Sequence, residues 1–313
     1  VNKNTKIWLN YLLGSTISLI LLYSIWSQVS KQFASVGKDL WKHTGPIALL
    51  WISVLLMLVN TLLEGTKWFL LTGYVSSVSY GRAFSSYLAG IAFSIVTPNR
   101  MGEYPGRILY LGQGSTSRYI TVSILGLSAQ LISIYAFGLI GLLYYNFAVP
   151  SVIARLGLLL CLALIILVGI IYLRFESWFP NLERVRWLRQ FVIYGRLLKK
   201  ITKSRKALIL AISLFRFIVF TAQYLFLLKW MNVELPVIQG FCTAALFFWA
   251  LAVIPSIALT ELGVRGAASL YLFQQFSSNS VGILAATVGI WLLNLILPSI
   301  LGSLLVMKMR LLR

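Results

Sequence analysis

Six stretches of this chain, near residues 8–27, 46–63, 121–145, 152–173, 207–228 and 281–305, are continuous apolar runs. A helix of about 20 apolar residues crosses the roughly 30 Å hydrocarbon core of a bilayer. In that solvent every backbone N–H and C=O must be bonded within the segment, so the runs predict six transmembrane α-helices. Composition agrees: only 11% of residues are charged, where a soluble domain carries about 25%. The first run follows Lys3 and Lys6 without a small-residue cleavage site, and reads as a span, not a signal peptide. The expected fold is all-α: a polytopic integral membrane protein in which residues 1–313 form a single transmembrane domain.

Two further apolar segments, 84–96 and 237–254, run directly into polar strings. The first string is Thr97-Pro98-Asn99-Arg100-Met101-Gly102-Glu103-Tyr104-Pro105-Gly106-Arg107; the second is Pro255-Ser256-Ile257-Ala258-Leu259-Thr260-Glu261-Leu262-Gly263-Val264-Arg265. Both predict re-entrant helical hairpins, although the second is long enough to cross fully. Charge at membrane depth costs roughly 2.5–3.5 kcal/mol per residue on insertion scales, so it persists where it is paired or used. Function is therefore expected at these strings.

The chain carries 27 Lys and Arg against seven Asp and Glu, a formal net charge of +20. In a membrane protein this excess points to the anionic cytoplasmic leaflet as partner, and no nucleic-acid partner is expected. Ten of the basic residues lie in 174–206, and Lys308, Arg310 and Arg313 lie at the end of the chain. Positive loops stay inside, which predicts a multi-pass protein of the inner or plasma membrane with both termini cytoplasmic. Lys31, Lys38 and Lys42 then fall in an exterior loop, against the rule. On this topology the 97–107 string enters from the cytoplasm and the 255–265 string from outside, as in an inverted repeat. The 174–206 segment also places Trp178, Leu182, Val185 and Leu188 at helical spacing, which suggests an interfacial helix; the alternative is a plain basic loop.

The first string holds two guanidiniums, Arg100 and Arg107, each able to grip a phosphate with paired donors. Thr97, Asn99 and Glu103 stand beside them, with Pro98, Gly102 and Pro105 as hinges. The two prolines predict unwound backbone, so Glu103 and Arg107 are not expected on one helix face. A structural Arg–Glu network is the alternative to an anion site. In the second string Pro255 marks the hinge and Thr260 a helix N-cap, after which Glu261 and Arg265 would align at i,i+4. Gly263 and Gly266 would permit close helix approach, and Glu261 is either a static ion-pair partner or a protonatable carrier. Arg216, near the middle of the 207–228 span, must face the interior, with Glu261 or Glu103 as the expected partner. Glu64 and Lys67 follow the second apolar run and read as a helix-end ion pair or as a gate.

Other chemistries lack parts. One histidine, His43, and one aspartate, Asp39, are too few for a Ser-His-Asp triad or a His/carboxylate metal site. No P-loop string is present, so no cofactor, metal or enzymatic activity is expected. Cys161 and Cys242 fall in apolar runs as packing residues. Trp8, Trp26, Trp51, Trp68, Tyr144, Tyr145, Tyr172 and Trp230 near span ends read as interfacial belts.

Three motifs together resemble the transmembrane, flippase-like region of the lysylphosphatidylglycerol synthase family. They are Glu64-x-x-Lys67-Trp68, then Ser94-x-x-Thr97-Pro98-x-Arg100-x-Gly102-Glu103 with Arg107, and Pro255 with Thr260-Glu261-x-Gly263-x-Arg265. The resemblance implies a multi-span fold with re-entrant elements and movement of polar lipids between leaflets, such as aminoacylated phospholipids or lipid-linked glycans. It also implies a free-standing member, since the 313 residues hold no aminoacyltransferase domain. Pro105-Gly106 and the Ser256-Ile257-Ala258 that follows Pro255 depart from the family pattern. The expected function is a flippase or scramblase whose arginines contact a lipid headgroup, with Glu64, Glu103 and Glu261 neutralising them or recognising an amine. Competing readings are an ion-coupled transporter of a small anion and a scaffold for a lipid-modifying enzyme.

Overall fold

The computed structural model describes residues 44–97, 100–112, 114–182, 200–254 and 261–307, with scattered positions between 12 and 30. Its helices are α1 Ile47–Thr72, α2 Tyr80–Ile95, α3 Glu103–Leu111, α4 Thr116–Ala148, α5 Val152–Leu182, α6 Lys203–Trp230, α7 Val237–Val253, α8 Glu261–Phe273, α9 Ser280–Trp291 and α10 Leu297–Val306. A π-helical segment, Leu292–Ile296, joins α9 to α10. No strand occurs among the described residues. Among the described residues, five helical stretches are long and apolar enough to span a bilayer: α1, α4, Val152–Arg174 of α5, α6, and Ser280–Val306. The chain is an all-α polytopic membrane protein. The apolar run 8–27 falls largely outside the described residues, as do 183–199, Pro98, Asn99, 255–260 and 308–313.

The long helices invert the soluble pattern. On α1, Ser53, Met57, Asn60, Glu64, Lys67 and Leu71 recur every three or four positions and are buried, while Trp51, Leu55, Leu58 and Leu62 face outward. Lipid solvates the apolar side, and the polar stripe is satisfied inside the protein. Because that stripe has partners, the helix does not stop at residue 63: it continues to Thr72, and Glu64 and Lys67 are interior positions of a span, not its end. Past Arg174, likewise, α5 continues to Leu182 before the described residues break off. An interfacial helix beyond that point lies outside them.

Helix ends follow local chemistry. Gly112, with φ of 60°, closes α3 by donating its N–H to the Ile108 carbonyl, the left-handed stop that glycine favours. Thr202 caps α6 by accepting from the Arg205 N–H, and Asn279 caps α9 by accepting from the Gly282 N–H at 2.9 Å.

In the packing, α1 lies on α6, α4 on α5 and α7, and α10 on α2, with α2 folded against α3. The α10–α2 contact is backbone-close: a Cβ on Gly302 would sit 2.0 Å from the Leu88 carbonyl oxygen. One apolar cluster centres on Tyr224, Phe247, Phe248 and Phe273, another on Trp68, Leu111 and Tyr119. Cys161 and Cys242 are buried and free.

Several residues expected in interfacial belts lie in the interior instead. Trp68 is fully buried, and Tyr145, Tyr172 and Trp230 are buried too. Trp68 donates to Ser86 Oγ at 2.7 Å and Tyr172 to the Lys206 carbonyl at 2.6 Å, so their polar atoms find protein partners where headgroups were expected. Trp26 and Trp51 do point outward.

Candidate functional site

Glu64 is the hub of the buried charge. Its Oε2 lies 2.7 Å from Lys67 Nζ and 2.8 Å from Arg216 Nη1, and its Oε1 lies 3.2 Å from Arg107 Nη2. Arg107 also pairs with Glu103. Glu64 is thus a partner of Arg216 that the sequence had not pointed to. The spacing along α1 is the reason: Asn60, Glu64 and Lys67 share one face, and α6 packs on that face. Arg216 then donates from Nε to Asn60 Oδ1 at 2.9 Å and from Nη1 to Gln130 Oε1 at 3.0 Å. Removing one member of a buried ion pair costs about 3–5 kcal/mol, because the survivor is left uncompensated.

A chain of amides extends this hub along the interior. Asn60 Nδ2 donates to Asn294 Oδ1 at 2.8 Å, Asn294 Nδ2 to Gln223 Oε1 at 2.8 Å, and Gln223 Nε2 to the Ser53 carbonyl at 3.1 Å. Asn294 sits in the π-helical segment, a distortion common at functional sites. Sequence reasoning did not place Gln130, Gln223 or Asn294 in the site. The signal was present: one amide inside each of three apolar runs, where a polar group is costly unless satisfied.

Glu103 and Arg107 are the first and fifth residues of α3, one turn apart on one face and ion-paired, contrary to the unwound backbone expected from Pro105. Pro105 is the third helical residue, where its missing N–H would have no intrahelical acceptor. The turn before α3 is braced by Thr97, whose Oγ1 accepts from the Gly102 N–H at 2.7 Å. Thr97 therefore holds the hinge. Arg107 is caged by aromatic rings, its guanidinium carbon 5.1 Å from Trp68, 4.9 Å from Tyr87 and 5.4 Å from Tyr104. Only glycine fits at position 90, where a Cβ would lie 2.4 Å from Arg107 Cγ and 2.5 Å from the Glu103 carbonyl oxygen.

Beside the cluster is a cavity of about 550 Å³. Its polar lining includes Asn60, Arg100, Glu103, Gln130, Arg216, Arg265 and Asn294, and its apolar lining includes Leu127, Leu131, Phe217, Phe220, Phe248 and Leu251. Arg100 and Arg265, from the two polar strings, thus reach one cavity. Arg100 holds a φ of 57°, a left-handed conformation unusual for a residue with a Cβ. Among the described residues nothing lies within 4 Å of where a Cβ on Gly263 would be, whereas a Cβ on Gly266 would lie 3.2 Å from Leu284 Cδ2. Pro98, Asn99, Pro255, Thr260 and the Glu261 side chain lie outside the described residues, although α8 does begin at Glu261.

Fold and site together define a polytopic α-helical membrane protein with a cavity lined in part by arginines. The model of the lysylphosphatidylglycerol synthase TM region matches residues 11–302, and the chain belongs to that family. No curated protein and no solved structure is matched by the chain.

Proposed function

We propose that this protein is a flippase or scramblase that moves a polar, phosphate-bearing lipid between leaflets without covalent chemistry. The observation that carries the reading is the mixed lining of one cavity: Arg100, Arg216 and Arg265 together with apolar side chains, as a headgroup joined to hydrocarbon requires. At about 550 Å³ it lies within the roughly 300–1,000 Å³ of small-molecule sites, room for a headgroup with its acyl chains left in the bilayer. Leu127 and Ile254 line the cavity and are themselves exposed, which favours lateral access from lipid.

The helix order long, broken pair, long occurs twice, as α1, α2–α3, α4 and as α6, α7–α8, α9–α10. The packing is reciprocal: α4 supports α7, α10 supports α2, and α1 meets α6. With both broken pairs re-entrant, α1 and α6 run in opposite directions and the halves form an inverted repeat around the cavity. Rocking one half against the other then exposes the arginines to each leaflet in turn. The basic residues of 174–206 orient the protein in the inner or plasma membrane with both termini cytoplasmic and hold it to anionic lipid.

Reconstitution into liposomes with fluorescent reporter lipids tests the reading. Leaflet exchange is expected to accelerate, and Arg100→Ala and Arg265→Ala are each expected to slow it about tenfold. No acceleration for any phosphate-bearing lipid removes the transport assignment, and uptake of a soluble anion in its place makes the protein an anion transporter.

A further inference from the structure

Resting on the reading of the cavity as a headgroup site, we infer that Gln130 joins Arg216 in docking a phosphate oxygen, through Gln130 Nε2 and Arg216 Nη2. The buried charge cluster opens toward the cavity here. Arg216 and Glu103 line the cavity with side chains 21% and 23% exposed, against 2% for Lys67, 3% for Arg107 and 5% for Glu64. The five N–H groups of Arg216 divide as follows. Nε donates to Asn60 Oδ1 at 2.9 Å, and Nη1 spends its two on Glu64 Oε2 at 2.8 Å and on Gln130 Oε1 at 3.0 Å. The two on Nη2 meet no acceptor among the described residues.

Gln130 supplies the second donor. Arginine only donates, so the oxygen of the amide must be the atom that faces Arg216, and Nε2 is the end left over. That Nε2 also has no acceptor among the described residues, and Gln130 lines the cavity with Arg216. Asn60 and Glu64 on α1 and Gln130 on α4 fix the guanidinium, and the guanidinium in turn fixes the amide. Donors held in place without a protein partner are costly until a ligand or water oxygen meets them, and a guanidinium fork suits a phosphate. Arg100 and Arg265 reach the same cavity but have partners of their own. Glu103, ion-paired with Arg107, offers its second oxygen to the cavity, where it accepts and repels an anion. The phosphate end of a headgroup therefore docks at Arg216 and Gln130, and any hydroxyl or ammonium it carries is left to Glu103. Gln130 is a binding residue as well as a support for Arg216.

Nuclear magnetic resonance of the purified full chain, labelled with ¹⁵N-glutamine and held in dodecyl maltoside, tests this by titration with dioleoyl phosphatidic acid. The side-chain NH₂ signals lost in Gln130→Met identify Gln130, and they are expected to shift as the lipid binds. Gln130→Glu keeps an acceptor for Arg216 but removes the donor. It is expected to melt no lower than the native protein and to bind phosphatidic acid about tenfold more weakly. Native affinity in Gln130→Glu overturns the inference, as does saturation that leaves the Gln130 signals unmoved, or failure of both phosphatidic acid and inorganic pyrophosphate to bind. If Gln130→Glu elutes as aggregate, the titration of the native chain decides. Pyrophosphate moving the same signals as tightly as the lipid upholds the contact and identifies a free anion as its ligand. Shifted signals without leaflet exchange in liposomes leave the inference standing and remove the transport reading. Exchange of phosphatidic acid with unmoved Gln130 signals does the reverse.

Discussion

Glu64→Gln changes a single charge at the point where three cations converge. In the native arrangement its two oxygens serve Lys67 at 2.7 Å, Arg216 at 2.8 Å and Arg107 at 3.2 Å. The amide keeps the shape but offers one neutral acceptor, and its NH₂ points at a cation. Breaking a buried pair costs about 3–5 kcal/mol. A chain somewhat shorter than this one loses roughly 2–4 °C of melting temperature per kcal/mol, so thermal unfolding of the purified protein should shift down by about 10 °C. Lys67 is the cation to remove next, because its side chain is 2% exposed and pairs with Glu64 one turn away on the same helix. In Glu64→Gln/Lys67→Met the uncompensated ammonium is gone, and at least half of the lost melting temperature is expected to return. Contacting residues show coupling of about 0.5–3 kcal/mol in such cycles. Additive losses in the double variant, or a single Glu64→Gln variant that melts like the native protein, refute the hub assignment.

Arg100→Gly relieves a left-handed residue, φ 57°, and should raise stability by about 1 kcal/mol, while leaflet exchange falls at least tenfold; a variant with native transport shows that the strained arginine serves no ligand. Gly90→Ala forces a Cβ to within 2.5 Å of the Glu103 carbonyl oxygen, and overpacking of this kind costs about 1–3 kcal/mol, to be read as a lower melting temperature. Asn294→Leu leaves the Asn60 amide and the Gln223 carbonyl without their partner, at about 1–3 kcal/mol for each group stranded. Unchanged melting in that variant refutes the amide chain as a structural element.

Much of the fold was legible because membrane solvent admits few backbone solutions. The apolar runs became the long helices α1, α4, α5, α6 and α9–α10, and the segments leading into the polar strings became α2 and α7. Glu64, Lys67, Arg107 and Arg216 stood out as charge in oil, and all four belong to one cluster. Pro105 was misleading, since a proline that breaks a helix interior is harmless in its first turn. Which of these applies depends on where α3 begins, and the Thr97–Gly102 hydrogen bond braces the turn before it.

Pairing was beyond the reach of the sequence. Arg216 meets Glu64 across 152 positions, and Asn60 meets Asn294 across 234. Hydropathy says that a buried charge must have a partner, because leaving it without one is too costly, but nothing local says which. The sequence by itself determined that this protein lives in a bilayer, that its polar side chains turn inward, and that arginine and glutamate at the two strings must be paired or used. Only tertiary structure decided that α1 and α6 lie face to face, so that one carboxylate gathers three cations. It also decided that α3 stacks Arg107 into an aromatic cage, and that Arg100 and Arg265 reach one cavity. Those outcomes depend on which helix surfaces fit, and that is a property of shape in three dimensions.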